Sequence, residues 1–217
     1  MKTTPDPKIP TRQRLLLTAR ELFHAQGYSA TGMAQILREA QVNSGSLYHY
    51  FKSKEDLLIG VLELYRDNIW PMLIQPVVER HSDPLDRVFG LLEVYRAQLL
   101  GSEFQSSCPI GNLALELSEF QPRARELIEA NFEQWRTIVR GWLLDAADQF
   151  PPSTDLDRLA TFILTTMEGG VMLSRSYRDV GPFDAAVLSL RDYLQHFESN
   201  RDGEAVGAPS REKGKKS

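Results

Sequence analysis

Prolines and glycines divide this sequence into segments in which apolar residues recur at helical spacing. Proline occurs in the pairs Asp83-Pro84, Cys108-Pro109 and Gln121-Pro122. The first position of a helix tolerates proline, because the N–H that proline lacks would have no helical partner there. No stretch alternates apolar and polar residues as a half-buried β-strand does. We therefore expect an all-α protein.

The first quarter of the chain is predicted to hold one longer helix followed by short ones. We expect helices to begin near Thr11, after Thr31 as a candidate N-cap, near Ser44 and after Ser53. The second and third of these are short and are separated by residues 41–43, which describes a helix-turn-helix unit. In such a unit the second short helix enters the major groove of DNA by its N-terminal end.

The third predicted helix contains three consecutive ring side chains, Tyr48, His49 and Tyr50. Adjacent side chains on a helix point in different directions, so three consecutive rings cannot all enter one core. Leu47 and Phe51 lie four residues apart and would anchor the helix by one face. The residues left outside are Ser44, Gly45, Tyr48 and His49, with Tyr50 at the flank. We expect the rings to face DNA; ordinary surface and core aromatics of a helical bundle are the alternative.

Charge is distributed unevenly along the chain. Residues 1–54 carry eight Lys/Arg and three acidic residues, a net charge of +5, and because the whole chain carries −4 the remainder carries −9. A basic first quarter joined to an acidic body suggests that one end meets a polyanion and the other does not. A basic helix on a membrane surface is the alternative. The aliphatic residues of the first helix, matched by those of the next two, favour a shared core.

The stretch TARELFHAQGYSATGMAQILREAQVNSGSLYHYFKSKEDLL resembles the DNA-binding domain of the TetR family of bacterial transcriptional regulators. The resemblance implies contacts to bases or phosphates from Ser44, Gly45, Ser46, Tyr48, His49 and Tyr50. It also implies that Thr31 and Lys54 hold the DNA backbone. Gln41 stands where the family usually has glycine, which predicts a left-handed residue at a cost of about 1 kcal/mol. Ser44 stands where many members have Lys or Arg, so the operator sequence is not predicted.

Residues 55–199 contain no enzyme or cofactor-binding motif, and their histidines are too far apart in sequence for metal-ligand spacing. Cys108 is the single cysteine, which excludes an internal disulfide and a cysteine-based zinc site. We expect no enzyme activity, no metal and no cofactor. The TetR resemblance implies that this region is a ligand-binding and dimerisation domain, following a DNA-binding domain of residues 1–54. A polar tail, residues 200–217, is expected to be disordered.

The last two predicted helices carry apolar stripes that suit a dimer interface, with an intramolecular core as the alternative. The residues predicted at the interface are Phe162, Ile163, Thr166, Gly170, Leu173, Val187, Leu190 and Leu194. DNA readers of this kind use two-fold symmetric half-sites, which favours the dimer.

A ligand pocket should be mostly apolar with a few polar groups. Its candidate residues are Trp70, Phe104, Cys108, Asn112, Trp135, Trp142 and Met167. Pro109 predicts that the Cys108 sulfur lies at a helix N-terminus, where the helix dipole favours a reactive thiolate. A small buried hydrophobe is the alternative for this cysteine.

The expected function is a homodimeric transcriptional repressor that binds double-stranded operator DNA and is released by a small molecule or reactive compound. The alternatives are an activator of the same family and, outside it, an all-α enzyme or a protein–protein adaptor. The start MKTTPDPKIP has no apolar core of a signal peptide, and no segment approaches the roughly 18 apolar residues of a membrane span. We therefore expect a cytoplasmic protein with no membrane partner.

Overall fold

The computed structural model describes residues 9–105, 107–117 and 122–205, and within these ranges it is helical with no β-strand. This confirms the all-α prediction. The helices are α1 (Thr11–Gln26), α2 (Met33–Ala40), α3 (Ser44–Tyr50), α4 (Lys54–Ile69), α5 (Gln75–Arg80), α6 (Pro84–Gly101), α7 (Pro109–Leu117), α8 (Pro122–Asp145), α9 (Leu156–Tyr177) and α10 (Gly181–Ala205). A π-helical turn, Trp70–Ile74, joins α4 to α5, and a 3₁₀ turn, Ala147–Gln149, follows α8.

Local sequence signals explain where several helices begin. Pro84, Pro109 and Pro122 are the first residues of α6, α7 and α8, as predicted. The side chain of Ser53 accepts a hydrogen bond from the Asp56 N–H at 3.0 Å and caps α4. These caps and prolines place the ends of the helices independently of tertiary packing.

The turn between α2 and α3 contains the expected left-handed residue. Gln41 has φ 54° and ψ 48°, where glycine is the residue that adopts this conformation without strain. Its N–H bonds back to the Arg38 carbonyl and closes α2. The turn is therefore left-handed at a non-glycine residue, as the sequence predicted.

Helices α1 to α4 share one apolar core. Leu47 of α3 is fully buried, and Phe51 is 4% exposed. Gly60 of α4 lies where α1 crosses, because a Cβ there would come 2.7 Å from Leu16 Cδ2. The side chain of Asn131 on α8 donates to the Leu62 carbonyl at 3.2 Å, so α4 is also tied to the body. Helix α4 thus belongs to both halves of the protein.

Helices α9 and α10 form a closely packed antiparallel pair. A Cβ at Gly170 would lie 3.0 Å from the Phe183 ring, and the Phe183 N–H donates to Ser174 Oγ at 3.0 Å. Arg96 of α6 forms two hydrogen bonds with the Asp184 carboxylate, at 2.7 and 2.9 Å. The start of α10 is therefore held by α6 and α9 together.

This packing changes the predicted dimer interface. Ile163, Gly170, Leu190 and Leu194 are buried inside the protomer, because they fill its own core. The prediction that these four face a second copy is wrong for this conformation. Phe162 and Leu173 are 43% and 42% exposed, while Thr166 and Val187 are half-buried. Their contact with a partner remains a prediction.

An outward stripe on α9 follows helical spacing. We define the α9 stripe as Phe162, Thr166, Gly169, Leu173 and Tyr177. Tyr177 is 69% exposed. Tyr193 of α10 extends the stripe, because its ring lies 5.4 Å from that of Phe162. The large side chains of this surface are apolar and exposed within the described part of the chain, whereas Thr166 and Gly169 are half-buried.

Helix α10 continues to Ala205, beyond the end expected near residue 199. The prediction of a disordered tail from residue 200 is therefore wrong for 200–205, and residues 206–217 lie outside the described residues. Among the helices of the described ranges, none is both long and apolar enough to cross a membrane.

The adjacent glycines of α9 provide a test of this packing. Gly169→Ala should raise the free energy of unfolding by about 0.5–1 kcal/mol, because alanine favours helix and no atom lies within 4 Å of a Cβ at this position. Gly170→Val should lower it by about 1–3 kcal/mol through overpacking against Phe183. Thermal or urea unfolding measures both. Equal effects of the two substitutions would contradict the α9–α10 contact.

Candidate nucleic-acid interface and ligand cavity

Helix α3 turns its aromatic side to solvent. Tyr48 and Tyr50 are 56% and 43% exposed, and His49 is exposed between them. The His49 and Tyr50 rings meet edge to face, with centroids 4.9 Å apart. Ser44 and Gly45 are also exposed at the start of the helix. The structure thus places all five predicted residues on the accessible side, and their contact with DNA remains a prediction.

The N-terminus of α3 is built by a side-chain cap. Asn43 Oδ1 accepts the Ser46 N–H at 2.8 Å, which satisfies one of the unpaired donors of the first turn. Ser46 itself is half-buried. The cap fixes the end of α3 that would meet a DNA groove.

Thr31 does not occupy the position expected from the sequence. It is fully buried, and its hydroxyl donates to the Gly27 carbonyl at 2.7 Å and accepts from Gln26 Nε2 at 3.1 Å. The N-cap of α2 is Gly32, without a side-chain hydrogen bond. The predictions that Thr31 caps α2 and contacts the DNA backbone are therefore wrong in this conformation, because its hydroxyl shapes the α1–α2 turn.

Lys54 lies at the start of α4, beside that turn. Its Nζ atom is 4.1 Å from the centroid of the Tyr28 ring, a cation–π distance. Burial lowers the pKa of Lys54, and the nearby Glu116 carboxylate opposes this effect. The ammonium group is half-buried, so its predicted contact with a phosphate would require it to turn outward from the Tyr28 ring.

Two neighbouring cavities lie in the body of the protein. Their volumes are about 800 Å³ and about 460 Å³. Residues common to both linings are Ser107, Cys108, Phe132 and Glu168. The smaller cavity has the more aromatic wall, with Tyr65, Tyr95 and Trp135 around it. A mid-sized organic molecule fits either volume.

The predicted ligand residues divide into two groups. Phe104, Cys108 and Asn112 line the larger cavity, and Trp135 lines the smaller one together with Cys108. Trp70 is 51% exposed on the π-helical turn, while Trp142 and Met167 pack in the core without lining either cavity. None of these three residues lines either cavity in this conformation, because sequence spacing does not distinguish a cavity wall from solid core, as at Trp142 and Met167, or from the surface, as at Trp70.

Three buried polar atoms near the cavities have no hydrogen bond of normal geometry within the described residues: Glu168 Oε1, Trp135 Nε1 and Arg175 Nε. The Trp135 side chain nevertheless approaches Tyr95, and the Glu168 carboxyl group adjoins Cys108. Arg175 uses another nitrogen, Nη1, to donate to Asn112 Oδ1 at 3.1 Å. Leaving a buried polar group unpaired costs about 1–3 kcal/mol. All three atoms are covered by protein in this conformation, so a bound molecule would pair with them only after the cavity wall rearranges.

Cys108 is buried, and its thiol adjoins the Glu168 carboxyl group. Burial raises the pKa of Cys108 well above its ordinary value, and the charge of Glu168 raises it further. Burial also raises the pKa of Glu168, while a hydrogen bond from Cys108 opposes this. The prediction of an activated thiolate is therefore wrong in this conformation, although the Gly111 N–H does approach the sulfur at 3.5 Å.

Sequence reasoning missed Phe132, Glu168 and Arg175 as cavity residues. One signal was available, because Glu168 and Arg175 are charged residues that interrupt the apolar run of α9 at a spacing of seven, or two helical turns. The described residues contain no group of three or more His, Cys, Asp or Glu side chains that could hold a metal ion.

Comparison with known proteins identifies both halves of the chain. The family model of bacterial regulatory proteins of the TetR family matches residues 15–61. A model described as transcriptional regulator LmrA/YxaF-like, C-terminal domain, matches residues 84–187. The chain is 32% identical to YxaF of Bacillus subtilis (strain 168), an uncharacterised helix-turn-helix transcriptional regulator, over 79% of this chain and 88% of that protein. It is 26% identical to the transcriptional repressor DhaR of Mycobacterium sp. (strain GP1), over 91% of this chain and 99% of DhaR.

Solved structures agree with this assignment. A TetR transcriptional regulator from Chloroflexus aurantiacus J-10-FL superposes with a TM-score of 0.74 at 29% identity, over 85% of this chain and 94% of that chain. The regulatory protein TetR from Rhodobacter sphaeroides superposes with a TM-score of 0.76 at 24% identity, over 86% and 98% of the two chains, and this likeness concerns the fold alone. The chain belongs to the TetR family of bacterial transcriptional regulators.

Proposed function

We propose that this regulator is a homodimeric repressor that binds operator DNA through α3 and is released by a small molecule bound in the cavities. The observation that carries the DNA-binding part is the exposed row Tyr48, His49 and Tyr50 on a helix whose opposite face is fixed by buried Leu47. Repression is proposed because the similar protein DhaR is named a repressor. An activator would use the same geometry with the opposite outcome at the promoter.

His49 and Lys54 have different proposed roles in DNA binding. His49 is exposed on the solvent-facing side of α3, one residue before the helix ends, and is proposed to reach base edges. Lys54 is the first residue of α4 and suits the phosphate backbone. Ser44, Gly45, Ser46, Tyr48 and Tyr50 complete the proposed interface. Base contacts discriminate between sequences, whereas phosphate contacts bind all duplexes alike.

Binding-site selection from random duplex DNA tests both roles. His49→Ala should change the selected sequence and reduce discrimination at one base pair by about 1–3 kcal/mol. Lys54→Ala should select the same sequence, weaken binding to every duplex alike, and reduce the magnitude of the salt slope by about one unit. If the His49 variant selects the same sequence as the wild type, His49 does not read bases.

The proposed effector is bound without a covalent bond, because the Cys108 thiol is buried. Burial raises its pKa well above the ordinary value, so the thiol is protonated and unreactive at neutral pH. An apolar or aromatic body suits the wall of Tyr65, Tyr95 and Phe132. After a rearrangement of the cavity wall, a hydrogen-bond donor on the ligand would pair with the Glu168 carboxyl group, whose Oε1 atom is now buried and unpaired. Phe104 and Asn112 would complete the site in the larger cavity.

Release from DNA requires that the ligand binds one conformation of the body better than another. In the proposed mechanism, the preferred conformation moves the two recognition helices out of register with successive major grooves. The coupling is reciprocal, so operator DNA must weaken ligand binding by the same factor. Regulation therefore depends on the difference between the ligand's affinities for the two conformations, rather than on any single contact.

The proposed dimer uses the α9 stripe together with Tyr193. Leu173 lies near the middle of the stripe and is 42% exposed. A second copy packed on this surface would bury apolar side chains that now contact solvent, which is the main favourable term in protein association. The two-fold symmetry of the pair would present two copies of α3 to one duplex.

Leu173→Glu should separate the dimer, because a carboxylate buried at the interface without a partner costs several kcal/mol. Each protomer contributes one such charge, so the dissociation constant should rise by at least about a hundredfold. Leu144→Glu is the matched control, since Leu144 is 46% exposed on α8 and lies outside the stripe. Sedimentation velocity measures both. A Leu173 variant that dimerises as tightly as the control would place the interface elsewhere.

A further inference from the structure

Helix α7 contacts both the larger cavity and the DNA-binding domain. Gly111, Asn112 and Ala114 line the cavity. Glu116, on the same helix, reaches instead to the turn that joins α1 to α2. One short helix of nine residues therefore has the proposed effector site on one side and the helix-turn-helix unit on the other.

The Glu116 carboxylate binds the α1–α2 turn with both oxygens. The Tyr28 N–H donates to Oε2 at 2.8 Å, and the Ser29 N–H donates to Oε1. Gly27 permits this approach, because it has φ +86° and a Cβ there would lie 3.1 Å from Glu116 Oε2. A carboxylate with two backbone donors is a strong and directional contact. The turn is thus held by a residue of the body in addition to the hydrogen bonds of Thr31 within its own domain.

A second contact fixes the other end of the same segment. His24 Nε2 on α1 lies 3.0 Å from the Ser107 carbonyl oxygen, just before α7 begins. Burial lowers the pKa of His24, which favours the neutral ring that donates one N–H to this carbonyl. Residues 107–117 therefore connect to the DNA-binding domain at both ends, with the cavity-lining residues between.

The surrounding charges keep the Glu116 contact in place. Burial raises the pKa of Glu116, but the hydrogen bonds from Ser29 and Tyr28 and the charge of Lys54 outweigh burial and hold it below the ordinary value. The group is therefore ionised at neutral pH. It interacts electrostatically with Lys54, the residue proposed to bind the DNA backbone, whose ammonium group lies over the Tyr28 ring. A displacement of Glu116 would change both the turn and the charge beside Lys54.

We propose that Glu116 is the positioning residue that couples the cavity to the DNA-binding surface. A molecule in the larger cavity displaces α7, and Glu116 transmits this displacement to the Tyr28–Ser29 turn, which precedes α2 and sets the direction of α2 and α3. This inference rests on the proposed ligand-responsive function. The proposed coupling passes through one carboxylate with two defined acceptor atoms. Double-mutant cycles measure such a coupling directly.

The test uses a substitution in place of the unidentified ligand. Ala114→Phe extends a ring from α7 into the larger cavity and serves as a built-in occupant. Its effect on DNA affinity is measured in three backgrounds: wild type, Glu116→Gln and, as a matched control, Glu129→Gln. Glu129→Gln removes the same charge from α8, where the exposed Glu129 carboxylate pairs with Arg125 at 3.1 Å and, among the described residues, has no hydrogen bond to the turn. The probe is a duplex selected by the wild-type protein from a random library.

We expect Ala114→Phe to change the dissociation constant by about tenfold or more in the wild-type and Glu129→Gln backgrounds, within the usual range of allosteric coupling. In the Glu116→Gln background the change should be less than about twofold. Equal factors in all three backgrounds would overturn the proposal. If Ala114→Phe does not unfold cooperatively, Gly111→Ala replaces it, because a Cβ there would collide with the Glu168 carboxylate and perturb the contact between α7 and the cavity wall.

Amide hydrogen exchange separates this proposal from the proposed function. Ala114→Phe should accelerate exchange of the Tyr28 and Ser29 amides, as should Glu116→Gln alone. If the wild type selects no duplex, operator binding fails while the exchange experiment still tests the coupling. If neither DNA affinity nor exchange at these amides responds to Ala114→Phe, the coupling through Glu116 is wrong whatever the protein binds.

Discussion

The close contact of α1 with α4 at Gly60 is the constraint on which the two halves of the protein depend. A Cβ at this position would come 2.7 Å from the Leu16 Cδ2 methyl group, so the Leu16 side chain packs directly over the α4 backbone at Gly60. Helix α4 then continues to Ile69 inside the body, where Asn131 of α8 donates to one of its carbonyl groups. The recognition helix is therefore not carried on a flexible linker. Its direction follows the direction of α4.

The two candidate sites differ in how their polar groups are arranged. On α3 the rings and small polar residues stand in solvent, ready to exchange water for a partner. Around Cys108 and Glu168 the polar groups are already dehydrated, and some are unpaired. Such atoms favour any conformation or ligand that satisfies them, because an unpaired buried group costs more than a hydrogen bond typically gains. A ligand that pairs with them can shift a conformational equilibrium with few contacts.

Local chemistry explains why much of the fold could be predicted from the sequence. Helix starts at Pro84 and Pro109 and the left-handed Gln41 depend on residues within one turn, and the structure confirms them. Leu47 and Phe51 were predictable because a four-residue spacing selects one face of a helix. These features need no knowledge of distant parts of the chain.

Features that depend on tertiary packing were not predictable in this way. The apolar stripes of α9 and α10 indicated which faces are covered, but Gly170 and Leu190 are covered by the protomer itself rather than by a partner. Thr31 has the residue type of an N-cap, yet its hydroxyl bonds to Gly27 inside the turn. Trp142 and Trp135 are equally buried, and only the three-dimensional packing shows that Trp135 borders a cavity. The pKa of Cys108 is likewise raised by burial rather than lowered by the helix dipole.

The account depends most on two copies of α3 reading one duplex in a fixed relative orientation. The direct measurement is DNA affinity as a function of the spacing between the half-sites of a selected operator. We expect two-fold symmetric half-sites whose affinity falls steeply when about five base pairs are inserted, because half a helical turn moves one half-site to the opposite side of the duplex. Selected sites without symmetry, or an affinity that does not depend on the spacing, would contradict the account.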